Sequence, residues 1–321
     1  METIQALIIL MAMGTWGPGA LLREALTLRS LVALLVKDEG LNSKAASPEE
    51  QTWVQWIEAE SQTRTKFVAY CFFNLQCIAY DLPPLILSPE VHLSLPQPAD
   101  QWKAENSELW LETRGKYPPV DIHFHEALGN LFAGAGPGKD LRSVSSLGNY
   151  ILMTALIQQI FFIRQTSSLR IWSATHHALD PRDIDQLSQA LRAWQASWES
   201  SLESSLDPCS PNGPVAFNST ALLRLGYIRL HSNLGPCRKL DSHDPAGIAR
   251  ALMESPALNR SPQLTRAVLQ SAHALSIPVK LGIAFVARTQ TLSWSIQHSL
   301  CNLECAFLLS KLRDIVEIVR N

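Results

Sequence analysis

The strongest hydrophobic pattern in the chain runs from Glu49 to Asp81. From Trp53 onward, apolar and polar positions recur in alternating steps of four and three residues, which places their side chains on one stripe of an α-helix. This stripe consists of Trp53, Ile57, Glu60, Arg64, Phe67, Cys71, Asn74 and Ile78, and it is widened by Trp56, Tyr70 and Phe73. The pattern predicts a central, buried helix, with Ser47 as its N-cap and Pro48 in its first turn.

Two members of this stripe are charged. Glu60 precedes Arg64 by four residues, the order in which an acid and a base pair along a helix. A pair inside an apolar stripe must be hydrogen-bonded, because a buried charge without its partner costs several kcal/mol. We therefore interpret Glu60 and Arg64 as an internal ion pair of a core helix rather than as a catalytic site.

The rest of the chain shows the same helical period, with breaks at proline and glycine. The predicted helices cover residues 3–15, 20–37, 102–114, 120–132, 143–165, 182–206, 217–233, 241–260 (broken by two prolines), 264–297 (kinked at Pro278) and 300–319. Between 82 and 98 five prolines prevent a helix, so we expect an extended arm lying on apolar surface. The result is an all-α fold of about ten helices in one large domain, with residues 207–214 as the clearest internal boundary.

The first thirteen residues contain a short apolar run that resembles a signal peptide. The run has no basic residues before it, and it is too short to span a bilayer. We expect a core helix here and no membrane segment.

Composition argues against direct binding of nucleic acid. The chain has 27 basic and 29 acidic residues, and no run of Lys and Arg is longer than two. Because DNA affinity comes largely from phosphate neutralisation by a concentrated basic surface, we expect this chain alone to be a poor DNA binder. At 46% hydrophobic residues, it can bury a substantial core.

Several clusters could hold a metal or a phosphate, but each fits a structural role better. His298, Cys301 and Cys305 share one helical face without an evident fourth ligand, and His123, His125 and Glu126 would need an extended segment to converge. The glycine-rich loop at 133–140 has Ala133 and Asp140 where a P-loop needs Gly and Ser or Thr. His176 and His177 have no evident partner. We therefore expect no metal, no cofactor and no catalytic residues, and the six cysteines indicate a reducing compartment.

The central helix resembles a known family. Trp53, Trp56, Glu60, Arg64 and Phe67 form a spaced signature, followed by Tyr80-Asp-Leu-Pro-Pro84, that is similar to the regulatory, or middle homology, domain of fungal-specific transcription factors. Segments 156–165, 234–237 and 294–301 resemble later helices of that family, so the resemblance extends from about Gln5 to about Leu309.

The resemblance implies an all-helical domain that controls transcription in the nucleus through self-association, the transcription machinery or a small-molecule effector. Such domains follow a zinc-containing DNA-binding module, and the sequence has no counterpart of its ligands. Zinc is therefore expected only in that module, and we expect a fragment, a mis-started gene or a natural truncated relative. The alternative is an all-α enzyme or small-molecule-binding protein with an apolar pocket.

Overall fold

The computed structural model of the chain describes residues 1–42, 51–116, 121–134, 144–168, 179–211, 213–232, 239–255, 264–289 and 295–320. The predicted all-α class is confirmed: 78% of the described residues are helical, and the described ranges contain thirteen α-helices and no strands. The helices are α1 (Glu2–Thr15), α2 (Gly19–Asp38), α3 (Trp53–Tyr80), α4 (Ala99–Trp102), α5 (Ser107–Lys116), α6 (Phe124–Phe132), α7 (Ser146–Ser168), α8 (Pro181–Ser200), α9 (Val215–His231), α10 (Pro245–Glu254), α11 (Leu264–Leu281), α12 (Ile283–Thr289) and α13 (Ile296–Arg320).

The first two helices form an antiparallel pair that packs on α3. The break between them falls at the predicted Gly-Pro segment, and Gly14 allows close approach, because a Cβ there would lie 2.9 Å from the Cβ of Ala25. Only one face of α1 joins the core, through Ile4, Ile8 and Met11. The apolar run at the N-terminus is thus a packed helix, as expected, although its opposite face is exposed.

The central helix α3 begins later than predicted. Its N-cap is Thr52, whose hydroxyl accepts a hydrogen bond from the Gln55 backbone while the Gln55 side chain accepts one from the Thr52 backbone. This reciprocal capping box satisfies two backbone donors at once, so it sets the helix start at Trp53. The predicted cap at Ser47 and Pro48 lies outside the described residues.

Residues 82–98 form the predicted arm, which is extended apart from a 3₁₀ turn at Ser88–Glu90. Apolar side chains of the arm are buried on the core, namely Ile86, Val91, Leu93 and Leu95. Its backbone is tied by Leu95 N–H to Ile122 O (2.9 Å) and by Phe124 N–H to Leu93 O (3.0 Å). The arm therefore connects α3 to α6 through paired backbone groups without forming a sheet.

Two predicted helices are divided. The predicted helix 102–114 is interrupted after Trp102, where the short α4 ends, and it resumes at Ser107 as α5. The Asn106 side chain accepts a hydrogen bond from the Leu109 backbone and so caps this new helix. The predicted helix 264–297 ends at Leu281, because Gly282 has φ +91°, a left-handed conformation that a helix interior does not contain. Pro278 lies inside α11, as predicted.

Most buried apolar side chains belong to one connected core. Its members extend along the chain from Ile4 in α1 to Leu308 in α13, although not every helix contributes. Helix α7 crosses its centre. This helix is long and apolar enough to cross a membrane by composition alone, yet 67% of its apolar window is buried inside the protein. Its place between α3, α8 and α9 is that of a core helix.

Candidate functional site

The signature residues of α3 lie where the helix meets the arm. Arg64 Nε donates to Glu60 Oε1 at 2.7 Å, with side chains 15% and 7% exposed respectively. Glu60 also accepts a hydrogen bond from Gln97 N–H (3.0 Å), and Arg64 donates a second one to Gln97 O (2.7 Å). The pair inferred from the sequence thus forms, and it holds the end of the arm on α3. Its role as a family signature stays a prediction.

The aromatic signature residues pack around this pair without forming a site. The Trp56 ring lies 5.5 Å from that of Trp110 in α5, and the Phe67 ring lies 5.8 Å from that of Phe124 in α6. Burial raises the pKa of Glu60, although Arg64 and Gln97 act in the opposite direction. These contacts are those of a structural junction between α3, the arm and the helices that follow it.

A buried polar network fixes the middle of the arm. The Gln158 side chain on α7 donates to Asn74 Oδ1 (2.9 Å) and to Ile86 O (3.1 Å). Its oxygen accepts from both the backbone (2.7 Å) and the hydroxyl (2.8 Å) of Ser88, which is also bonded to Tyr70. Buried polar groups must be paired in this way, so the network specifies one position of the arm. In the sequence, Asn74 lies on the predicted stripe of the central helix and Gln158 lies within the segment 156–165.

The structure does not form a metal site from His298, Cys301 and Cys305. Cys301 and Cys305 are buried on α13 with sulfurs 3.7 Å apart, while the His298 ring stacks on Phe217 at 4.0 Å. Contact with Cys305 and burial both raise the pKa of Cys301, so its thiol stays protonated at neutral pH. In the part of the chain that the structure describes, no three His, Cys, Asp or Glu residues come together as a metal site.

The other histidine cluster separates as well. His125 bonds to Ser88 O at 2.8 Å, whereas His123 lies near the Ser94 hydroxyl at 3.5 Å. Most of the glycine-rich loop, residues 135–140, and the pair at 176–177 lie outside the described residues.

A cavity of about 210 Å³ lies between α3, α7, α9 and α13. Its wall is mostly apolar, and it is lined by Val68, Cys71, Phe72, Leu75, Leu147, Tyr150, Val215, Asn218 and Gln297. Val68 is 41% exposed, so the cavity reaches the surface beside α3. It brings together side chains that are far apart in the sequence, and the sequence analysis did not find it.

Three of the residues that line the cavity have polar side chains, namely Tyr150, Asn218 and Gln297. Gln297 Nε2 donates to the Tyr150 hydroxyl at 2.6 Å. The side-chain oxygens of Gln297 and Asn218 have no hydrogen-bond partner, although these residues are only 8% and 9% exposed. Burial raises the pKa of Tyr150 above its usual range, so its hydroxyl stays neutral. A mostly apolar wall without a charged side chain is suited to binding a small molecule rather than to acid–base chemistry.

Comparison with known families gives a match in the C-terminal part of the chain. Residues 233–319, within the C-terminal third of the chain, match the family model of the fungal transcription factor C-terminal domain. Neither curated proteins nor solved structures give a match. The matched segment contains α10 to α13, including Gln297 of the cavity. The resemblance to a fungal transcription factor regulatory domain is thus confirmed, through a match that covers residues 233–319.

Proposed function

We propose that this chain regulates transcription in the nucleus through contacts with other proteins, including further copies of itself, and not through a DNA contact of its own. The observation that carries the proposal is the match of residues 233–319 to the fungal transcription factor C-terminal domain. Zinc belongs, in this proposal, to a separate DNA-binding module. The chain itself uses no cofactor and catalyses no reaction.

Charge and architecture support this role. A net charge of −2 provides little attraction for phosphate. The matched segment is not an independent appendage, because α11 and α13 both pack on α9. A conformational change in this segment would therefore alter the packing of the core, as expected of a domain whose conformation controls activity.

The second class of function, a small-molecule-binding protein, is favoured by one observation, the cavity between α3, α7, α9 and α13. The two functions are compatible, since a regulatory domain can respond to a ligand. Nothing in the cavity favours an enzyme, because its polar groups are amides and a neutral phenol.

A tethering experiment tests the regulatory role. The whole chain is fused to a heterologous DNA-binding domain in a fungal host, and transcription is measured from a reporter carrying that domain's sites. We expect the fusion to change reporter expression severalfold, up or down, relative to the DNA-binding domain alone. Equal reporter expression at equal protein levels would contradict the proposal.

A pair of matched variants makes the result specific. Ala267 is fully buried in α11, whereas Ala272 on the same helix is exposed. Ala267→Asp buries an unpaired charge and should abolish the effect, because burying such a charge costs several kcal/mol. Ala272→Asp makes the same chemical change at the surface and should leave the effect intact.

A further inference from the structure

We propose that the outer face of α11, together with α12, docks an acidic amphipathic segment of a partner protein, in which Asp and Glu side chains surround a stripe of large apolar ones. We call this surface the docking face. Its meaning as a regulatory contact rests on the function proposed above, whereas the binding itself can be measured separately.

Charge is distributed unevenly along the chain. The segment from Ser255 to Leu303 contains four basic residues and no acidic one, although the whole chain has a net charge of −2. Both α11 and α12 lie within this segment. An acid three or four residues from a base would pair with it along a helix, and these two helices have none. Their basic side chains therefore need an acid from elsewhere.

One stripe of α11 combines basic and apolar side chains. Its members follow steps of three and four residues, which places them on one side of the helix, namely Arg266, Leu269, His273, Ile277 and Lys280. A different side of the helix enters the core, through residues such as Ala267 and Ala274. All five members of the stripe are exposed. The stripe is therefore open to a partner.

Helix α12 extends the apolar part of the docking face. Leu281, Ile283 and Phe285 are each more than half exposed. Among the described helices, α12 packs chiefly on α11, so it does not carry these side chains into the core. Contiguous exposed apolar surface of this kind marks a site of contact with another molecule.

The basic side chains of the docking face lack acidic partners. None of the ion pairs found among the described residues includes a residue of α11 or α12. Arg266 instead lies over the Tyr227 ring of α9, 5.3 Å from its centre. Burial raises the pKa of the Tyr227 hydroxyl, whereas Arg266 and Arg192 of α8 act in the opposite direction, so both guanidiniums lie near this phenol. A carboxylate placed beside them would form charge-assisted hydrogen bonds.

The docking face fits a protein segment better than it fits nucleic acid. A phosphate backbone would pair with the basic groups but would leave Leu269, Ile277 and Phe285 uncovered. An amphipathic helix lays its apolar side chains on an apolar surface, and acids at its edges would meet the basic groups. Exposed cations beside large apolar side chains therefore select an acidic amphipathic peptide.

The test uses the purified full chain and three fluorescein-labelled peptides of equal length. The first contains two copies of Leu-Glu-Glu-Phe-Asp-Glu-Gln, the second has Ser in place of Leu and Phe, and the third has Lys in place of Asp and Glu. In fluorescence anisotropy we expect the first peptide to bind at least tenfold more tightly than the other two, because only it matches both charge and apolar surface. Equal binding of the first and second peptides, or no binding of the first at millimolar concentration, would overturn the proposal.

Charge-reversal variants locate the binding. Arg266→Glu together with Lys280→Glu should weaken binding of the first peptide at least tenfold. Arg23→Glu together with Lys239→Glu is the matched control, because it changes the net charge equally at exposed residues outside α11 and α12. This control should alter the affinity less than twofold. A similar loss in both double variants would show that the peptide responds only to overall charge, which contradicts a local docking face.

Apolar variants test the second component. Leu269→Ser together with Ile277→Ser keeps every charge and should weaken binding of the first peptide at least fivefold. Leu31→Ser together with Leu34→Ser makes a similar change on the exposed side of α2 and should leave the affinity unchanged. A thermal melt of each variant confirms that it is folded. If the folded α11 variant bound as tightly as the original chain, the apolar stripe would have no part in docking and the proposal would be wrong.

Competition with duplex DNA separates the two kinds of partner. At physiological salt we expect micromolar DNA to leave the first peptide bound, and its displacement would show that the face recognises phosphate instead. The assay uses no reporter, so its failure is distinguishable from failure of the regulatory function. A tethered chain that changes reporter expression but does not bind the acidic peptide would refute the docking face alone.

Discussion

Arg229 in α9 and Glu304 in α13 form a buried ion pair that holds the C-terminal helices on the core. Arg229 Nη2 lies 2.6 Å from Glu304 Oε1, and the Glu304 side chain is only 1% exposed. The same nitrogen of Arg229 donates to Ile78 O of α3 at 2.7 Å. Burial alone would lower the pKa of Arg229, but the Glu304 carboxylate raises it, so the guanidinium stays charged. One side chain thus joins three helices.

Removing this pair should destabilise the whole domain. Glu304→Gln keeps the shape of the side chain but leaves Arg229 buried without a counter-charge, which typically costs about 3–5 kcal/mol. Urea unfolding measures the change in the free energy of unfolding. Glu112→Gln is the matched control, because Glu112 pairs with Lys116 on a surface where the side chains are 60% and 61% exposed. Solvent screens that exposed pair, so it contributes little to stability. A similar loss of stability in both variants would therefore contradict the role assigned to the Arg229–Glu304 pair.

The Glu60–Arg64 pair leads to a second prediction. Arg64→Leu removes the counter-charge of Glu60 and a bond to Gln97 O, and we expect a loss of about 3 kcal/mol in the free energy of unfolding. Replacing Glu60 with Leu and Arg64 with Met together should recover part of this loss, because apolar side chains suit the stripe. Recovery is incomplete, since the Gln97 backbone loses two hydrogen bonds in the double variant. Denaturant melts of the original chain, the single variant and the double variant measure these free energies of unfolding. If Arg64→Leu left the free energy of unfolding unchanged, the pair would not stabilise the junction.

Stability should fall between pH 7 and pH 5 because of His298. Burial, with a contribution from Arg224, lowers the pKa of His298 to about 3 in the folded chain. An unfolded histidine has a pKa of about 6.5, so protonation favours the unfolded state. The stabilisation is complete above about pH 6.5 and is lost as the pH falls toward 3, with a loss of about 2 kcal/mol between pH 7 and pH 5.

Urea melts at the two pH values measure this effect. His298→Gln cannot be protonated, so the decrease should become smaller by about the same amount. His273 is exposed on α11, and His273→Gln should keep the pH dependence of the original chain. If His298→Gln and the original chain lost equal stability, His298 would not be the group responsible.

The sequence predicts the elements of this fold well wherever a local signal exists. Helix α1 ends and helix α2 begins at a Gly-Pro break, and the Glu60–Arg64 pair follows from a spacing of four residues within one helix. Local signals were also misassigned. Ser47-Pro48 seemed to open α3, but the capping box formed by Thr52 and Gln55 does so.

The candidate site could not be predicted in the same way, because its residues meet only in the tertiary structure. Tyr150 and Gln297 are bonded across 147 positions, and Arg229 and Glu304 across 75. No local period links such residues. A single buried glutamine or asparagine in an apolar run indicates only that a polar partner exists, and packing decides which one.

The central claim is that this chain regulates transcription without a DNA contact of its own. The affinity of the purified chain for duplex DNA, selected from a random pool and measured at physiological salt, tests it most directly. With a net charge of −2, the account predicts binding no tighter than that of a neutral protein, at every sequence selected. A specific dissociation constant in the nanomolar range would contradict the account, because it would place a DNA-binding surface on the chain itself.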